Sequence, residues 1–191
     1  MPTKNEPLYV SIDVETAGPN PRTYSILSIG ACLVWHPDEH FYVEIQPVTD
    51  SATEEAMAIS QLDMNKLKEA GRTPEEAMSL FNDWLEKFSS TSSQLVFVAF
   101  NAPFDWMFVN DYFHRYFGSN PFGHKALDIK AYAMGVLGVP WENTGWLALS
   151  NRYLANQSLT HNALQDAIDQ ARIFRELVAE QMLNHQREEH F

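Results

Sequence analysis

Three scarcities bound what this chain can be. Of its 191 residues only one, Cys32, is a cysteine, so no internal disulfide framework can form, and a reducing, cytoplasmic setting is expected. No apolar run approaches the roughly 18 residues that a membrane span needs, and Met1–Glu6 lacks the apolar stretch of a secretory signal. Basic residues are few as well: 13 Lys and Arg against 25 Asp and Glu, a net charge of −12. Proteins that grip long duplexes through their phosphates carry a basic face, whereas this chain repels a polyanion at long range. A small cation-filled site that takes one strand end is still allowed, because bound cations reverse the local field.

What the chain does have is core material. Hydrophobic content of 45% and aromatic content of 13% mark a globular protein, long enough for one domain with a substantial core. The stretch Leu8 to Thr16 alternates as a strand: Val10, Ile12 and Val14 on one face, Ser11, Asp13 and Glu15 on the other. Two carboxylates side by side on a half-buried strand repel each other and lose solvation. A divalent cation between them offsets both effects; an edge strand with a wet face is the alternative.

Two further strands follow, over Ser25–Trp35 and Phe41–Ile45, separated by a break at His36-Pro37-Asp38, so that the first three strands run antiparallel. Helical patterning begins at Thr53, resumes over Leu62–Ala70, and starts again at Thr73-Pro74-Glu75-Glu76, where Thr caps and Pro takes the first position. That third helix reaches about Phe88 and buries Ala77, Leu80, Phe81, Trp84, Leu85 and Phe88; Ser89–Ser93 reads as a polar linker. Leu95–Phe100 is a continuous apolar run, read as a central strand. Pro103 then opens a helix to Gly118 that carries Asp105 in its first turn, where the helix dipole alone would favour a carboxylate. The other reading of Asp105 is a site residue at the end of a central strand. Ala126–Ile129 is a last short strand, followed by helices over Ala131–Leu137 and Gly145–Leu154.

In the final helix Asn162 caps and Gln165 is expected to reach back to it. Leu164, Ala167, Ile168, Ala171, Phe174, Val178 and Met182 form its apolar stripe. Asp166 lies at the border of that stripe; Asp169, Glu176 and Glu180 fall on the solvated side. His161 sits in the loop entering the helix, five residues before Asp166, and is either a turn residue or part of a site.

Asp13-x-Glu15-Thr16 at a strand end, Asn101-x-x-Phe104-Asp105 after a central strand and His161-x-x-x-x-Asp166 entering a late helix occur in that order. This resembles the DEDDh branch of the 3′–5′ exonucleases over about Leu8 to Met182. The resemblance implies a single exonuclease domain across residues 1–191, with an α/β, RNase H-like fold: a mixed sheet of about five strands, the first three antiparallel, flanked by helices. It implies hydrolysis of phosphodiester bonds at the 3′ ends of single-stranded DNA or RNA, short oligonucleotides included. Two divalent cations, Mg²⁺ or Mn²⁺, would be bound by Asp13, Glu15, Asp105 and Asp166 and clamp the scissile phosphate, with His161 as general base. Oxygen-only donors suit such hard cations.

The same likeness points to substrate contacts at the backbone of Thr16 and Ala17, at Ile59 as a wedge against the terminal base, and at Asn101. Trp106 either stacks on a base or belongs to the core. Small relatives suggest a homodimer. One position departs from the pattern: a His often precedes the Asn of the second motif, and here Phe100 stands there. An inactive scaffold of the same fold and a small-nucleotide phosphodiesterase are the competing functions.

Overall fold

The computed structural model describes residues 7–89 and 94–188. Five strands, β1 (Leu8–Thr16), β2 (Ile26–Leu33), β3 (His36–Glu44), β4 (Leu95–Ala99) and β5 (Ala126–Asp128), form one mixed sheet in the order β3-β2-β1-β4-β5. β1, β2 and β3 pair antiparallel, and β4 and β5 extend the sheet in parallel from β1. This is the α/β sheet expected, with β1 at its centre rather than at an edge. The one displaced boundary is at β3. The reversal falls at Val34-Trp35, and His36-Pro37-Asp38 already belongs to β3. Pro37 is tolerated because β3 is the sheet edge and a missing amide there leaves no neighbour unpaired.

Among the described residues seven α-helices alternate with or follow these strands: α1 (Glu54–Ser60), α2 (Met64–Ala70) and α3 (Pro74–Ser89) before β4, α4 (Pro103–Tyr112) before β5, and α5 (Ile129–Leu137), α6 (Trp146–Tyr153) and α7 (Ala163–Glu188) after it. Their starts obey local chemistry. The Thr53 hydroxyl accepts from the Ala56 amide. Thr73 and Glu76 close a reciprocal box, each side chain accepting the other's amide. α4 ends earlier than the sequence pattern suggested, passing into a π-helical turn over Phe113–Phe117 that Gly118 closes at φ 97°. Most of the linker expected over Ser89–Ser93 lies outside the described residues.

Each face of the sheet carries an apolar layer. On one, Val10, Ile12 and Val14 pack with Phe81 of α3 and Phe108 of α4. On the other, Cys32 and Val98 pack with Ile129 of α5, Leu149 of α6 and Phe174 of α7. Two expected core residues are outside. Leu80 is 43% exposed, on the outer side of α3, and Met182 is 62% exposed. For Met182 the cause is length: a 26-residue helix spans about 39 Å, beyond the roughly 30 Å of a nine-residue strand, so α7 outruns the sheet.

Candidate active site where two strands part

β1 and β4 pair only from Leu8–Ser11 to Leu95–Val98. Beyond Ser11 they part, and β1 continues to Thr16 against β2 alone. Buried backbone groups on the open side need other partners. Two side chains supply them. Gln170 of α7 donates from Nε2 to the Ile12 carbonyl at 2.8 Å and accepts at Oε1 from the Phe100 amide at 2.6 Å. Asp105 accepts from the Val14 amide at 3.1 Å. Asp128 then holds the turn after β4: it accepts from the Ala102 amide at 2.6 Å and, through its other oxygen, caps α5 at Ala131. Asn101, between these anchors, takes a left-handed φ of 63°. The divergence is the feature that opens a crevice at strand ends in α/β sheets.

α7 reaches the opposite side of β1 because β2 offers it bare backbone. Gly30 sits across the ladder from Asp13. A Cβ there would lie 2.2 Å from Ala163 C and Leu164 N, so the start of α7 rests directly on the strand. Ser11 Oγ donates to the Ala167 carbonyl at 2.8 Å. With α7 seated on Gly30, Asp166 is turned inward, only 3% exposed. Its Oδ1 accepts from Thr160 N at 2.8 Å and Thr160 Oγ at 2.9 Å, and its Oδ2 from His161 N at 2.9 Å. These bonds hold His161 at a left-handed φ of 55°.

The result is a cleft of about 430 Å³ whose lining includes Asp13, Glu15, Asp105, His161 and Asp166. One ligand atom each from Glu15, His161 and Asp166 lies within 4.8 Å of the others, close enough for one metal ion. The field is strongly unfavourable to charge. Burial, then the charges of Asp105, Glu15 and Asp166, push the Asp13 carboxyl well above the usual carboxylate range. Burial and Asp166 raise Glu15 to about 7. Burial takes Asp105 to about 8 although the Val14 amide pulls the other way. Converging carboxylates that would otherwise hold protons near neutrality, with oxygen the dominant donor, fit a hard divalent cation.

Thr16, Ile59 and Asn101 also line the cleft. Thr16 donates its hydroxyl to the Gly18 carbonyl at 2.9 Å, and Ile59 stands 41% exposed on α1. Ala17 is fully buried; its amide donates to the Ser25 carbonyl and its carbonyl accepts from the Thr53 amide. Trp106 is half-buried and packs against the core, meeting Phe97 edge-on at 5.2 Å; it is not part of the cleft lining. Phe100 lines the cleft and packs edge-on against Trp146 at 5.3 Å.

Asp169, assigned to the solvated side from the sequence, is 6% exposed and accepts from Gln157 Nε2 at 2.7 Å and Gln165 Nε2 at 3.1 Å. Gln165 therefore turns to Asp169 instead of back to the cap; Asn162 does accept from the Gln165 amide. Gln170 and Gly30 were missed outright. Both carried a signal: Gln170 lies four residues after Asp166, on the same helix face, and a glycine inside a buried strand marks a close backbone approach.

The family model described as the 3′-5′ exoribonuclease Rv2179c-like domain matches residues 8–178. The chain is 41% identical over 168 residues to the 3′-5′ DNA exonuclease Cap18 of Escherichia coli, covering 88% of this chain and 90% of that one. Its fold is shared with the nuclease domain of 3′hExo, a DEDDh family member solved with rAMP bound (TM-score 0.72, 16% identity, 93% of this chain and 92% of that one). It is also shared with E. coli Exonuclease I in complex with a dT13 oligonucleotide (0.67, 16%, 92% and 41%). Pop2p of S. pombe, solved with Mg²⁺ and Mn²⁺ bound, is similar at 0.65, with 19% identity over 88% of this chain and 82% of that one.

Proposed function

The chain belongs to the Rv2179c-like 3′–5′ exoribonuclease domain family and is a 3′–5′ exonuclease; on that premise we propose that it trims single-stranded DNA from the 3′ end, with divalent cations held by Asp13, Glu15, Asp105 and Asp166. The observation that carries the site is the convergence of these carboxylates where β1 and β4 part. DNA is favoured over RNA because the relative at 41% identity acts on DNA. The family's description names RNA, which makes RNA the second substrate to test.

Two Mg²⁺ or Mn²⁺ ions, when bound, would supply positive charge to the scissile phosphate and to the leaving oxygen. The protein's own part is to place the reacting groups. Val14 N and Gln170 keep β1 and the β4 wall at a fixed separation through Asp105 and Phe100. His161, held by Asp166, takes a proton from the attacking water at its cleft-facing ring nitrogen. A positioned base of this kind contributes about 10²–10⁴-fold. Ile59, Asn101 and Thr16, all in the cleft lining, contact the terminal nucleotide.

The proximity of His161 to Glu15 and Asp166 favours a second reading in which its imidazole is a ligand. The two roles separate cleanly. If His161 is the base, His161→Ala slows turnover but keeps the rise in melting temperature that Mn²⁺ produces; if it is a ligand, that rise shrinks.

Incubation with 5′-labelled single-stranded DNA and RNA oligomers, with Mg²⁺, Mn²⁺ or chelator, tests substrate, polarity and cation requirement together. The expected outcome is stepwise loss from the 3′ end of DNA, abolished by chelator. Degradation of RNA alone would move the assignment to the second substrate. Chelator-resistant hydrolysis would refute the cation site. Because the chain is acidic, affinity should depend weakly on salt; a steep negative slope of log affinity on log salt would contradict a short, local grip on the strand end. The expected homodimer is tested by sedimentation of the full chain.

A further inference from the structure

We infer that Asp169 is a positioning residue for the loop that carries His161, an inference that rests on His161 acting in the cleft as proposed above. The loop between α6 and α7 is conformationally expensive. Ala155, Asn156 and His161 all have left-handed φ values, 52°, 67° and 55°, a region that side chains such as those of Ala155 and His161 enter only under constraint. Something must hold such a loop in one shape. Two carboxylates on α7, one helical turn apart, do so at two points. Asp166 takes Thr160 and the His161 amide; Asp169 takes the Gln157 side chain.

Gln157 is gripped from its other side as well. Its carbonyl accepts from Trp146 Nε1 at 3.0 Å, and its amide donates to the Leu154 carbonyl at 3.2 Å. The Trp146 ring in turn packs edge-on against Phe100, a wall of the cleft whose amide is tied to Gln170. Gln157 is thus the point where α6, α7 and the β4 wall meet. Only Ser158 and Leu159 separate it from Thr160, so little chain is left to absorb a shift. Without Asp169 the Gln157 side chain loses its tie to α7, and the side chain of Asp166 alone links the His161 segment to that helix.

Asp169 is buried, and the two side chains that donate to it are neutral amides of Gln157 and Gln165. Its contribution is geometric: it reads the loop's position relative to the helix that also supplies Asp166. Removing it should displace His161 without emptying the cation site.

The test uses Asp169→Ala, Gln157→Met and the double variant, each also in a His161→Ala background, with kcat and KM on a single-stranded DNA oligomer and melting temperature with and without Mn²⁺. The expected result is a loss of kcat of about tenfold to a hundredfold for each single variant, the size associated with a small misplacement of a reacting group. KM should stay within about twofold, and the double variant should lose no more than the worse single one. The Mn²⁺-induced rise in melting temperature should persist. In the His161→Ala background neither change should slow turnover further. Wild-type kcat in a folded single variant, or a full multiplicative loss on top of His161→Ala, would overturn the assignment. If Asp169→Ala does not fold, Gln157→Met carries the same comparison alone. A His161→Ala enzyme as fast as the wild type would instead remove the base, and with it the premise.

Discussion

β1 pairs with β4 from Leu8 to Ser11 and with β2 from Val10 onward; from Ile12 to Thr16 it has β2 on one side and side chains on the other. The first half is ordinary sheet. The second half gives up one ladder, and the groups that replace it, Gln170 and Asp105, come from α7 and α4. A strand interior is a poor place for chemistry because both of its edges are occupied. A strand that loses one neighbour keeps its rigidity from the other and gains a crevice. The polar side chains follow the same division: Ser11 on the paired half meets a helix carbonyl, while Asp13 and Glu15 on the open half face the cleft.

The division can be broken at several depths. Asp13→Ala should have the largest effect on rate, at least about a 10³-fold loss of exonuclease activity, with the fold retained in circular dichroism because a charge-crowded site is relieved. Gly30→Ala should come next. Its Cβ would collide with the backbone of α7, and moving that helix takes Asp166 away from β1. About a hundredfold loss of activity is expected, together with about 1–3 kcal/mol of stability from overpacking, read from denaturant unfolding. Gln170→Leu leaves the Ile12 carbonyl and the Phe100 amide without partners; each unmade bond costs about 1–3 kcal/mol. A roughly tenfold loss of turnover should accompany it as the wall shifts. Ser11→Ala, on the paired half, should cost only about 1 kcal/mol and leave kcat untouched. A rate loss in Ser11→Ala equal to that in Gln170→Leu would erase the distinction between the halves.

Much of this site was legible in the chain because its chemistry is carried by residue types at short, regular spacings. The alternation of β1 put Asp13 and Glu15 on one face, and the apolar stripe of the last helix put Asp166 at its border; the structure brings the three together. The errors have a common physical source. Asp169 was placed outside because a helical wheel knows the helix's own apolar stripe and not the loop that folds over its flank. Trp106 could be core or base platform from sequence alone, and only the fold shows it packed edge-on against Phe97, nine residues earlier in β4. The parting of β1 and β4 is a tertiary fact with no local signature, so Gln170 had no visible job until the two strands were seen to diverge. His36-Pro37-Asp38 looked like a break because proline is hostile to a central strand; only the strand order shows that β3 is an edge.

If cations make this gathering of carboxylates tolerable, thermal unfolding against pH must show it. Without metal, Glu15 at about 7 and Asp105 at about 8 stand above their ordinary values of 4.5 and 3.8. The folded protein therefore binds more protons than the unfolded chain between those values, and stability must fall as pH rises through that window. The metal-free melting temperature should drop between pH 5 and pH 8. Mn²⁺ should restore it at pH 8, raise it far less at pH 5, and do neither in Asp13→Ala. A metal-free melting temperature that stays level from pH 5 to pH 8, with equal Mn²⁺ increments at both ends, would contradict the account.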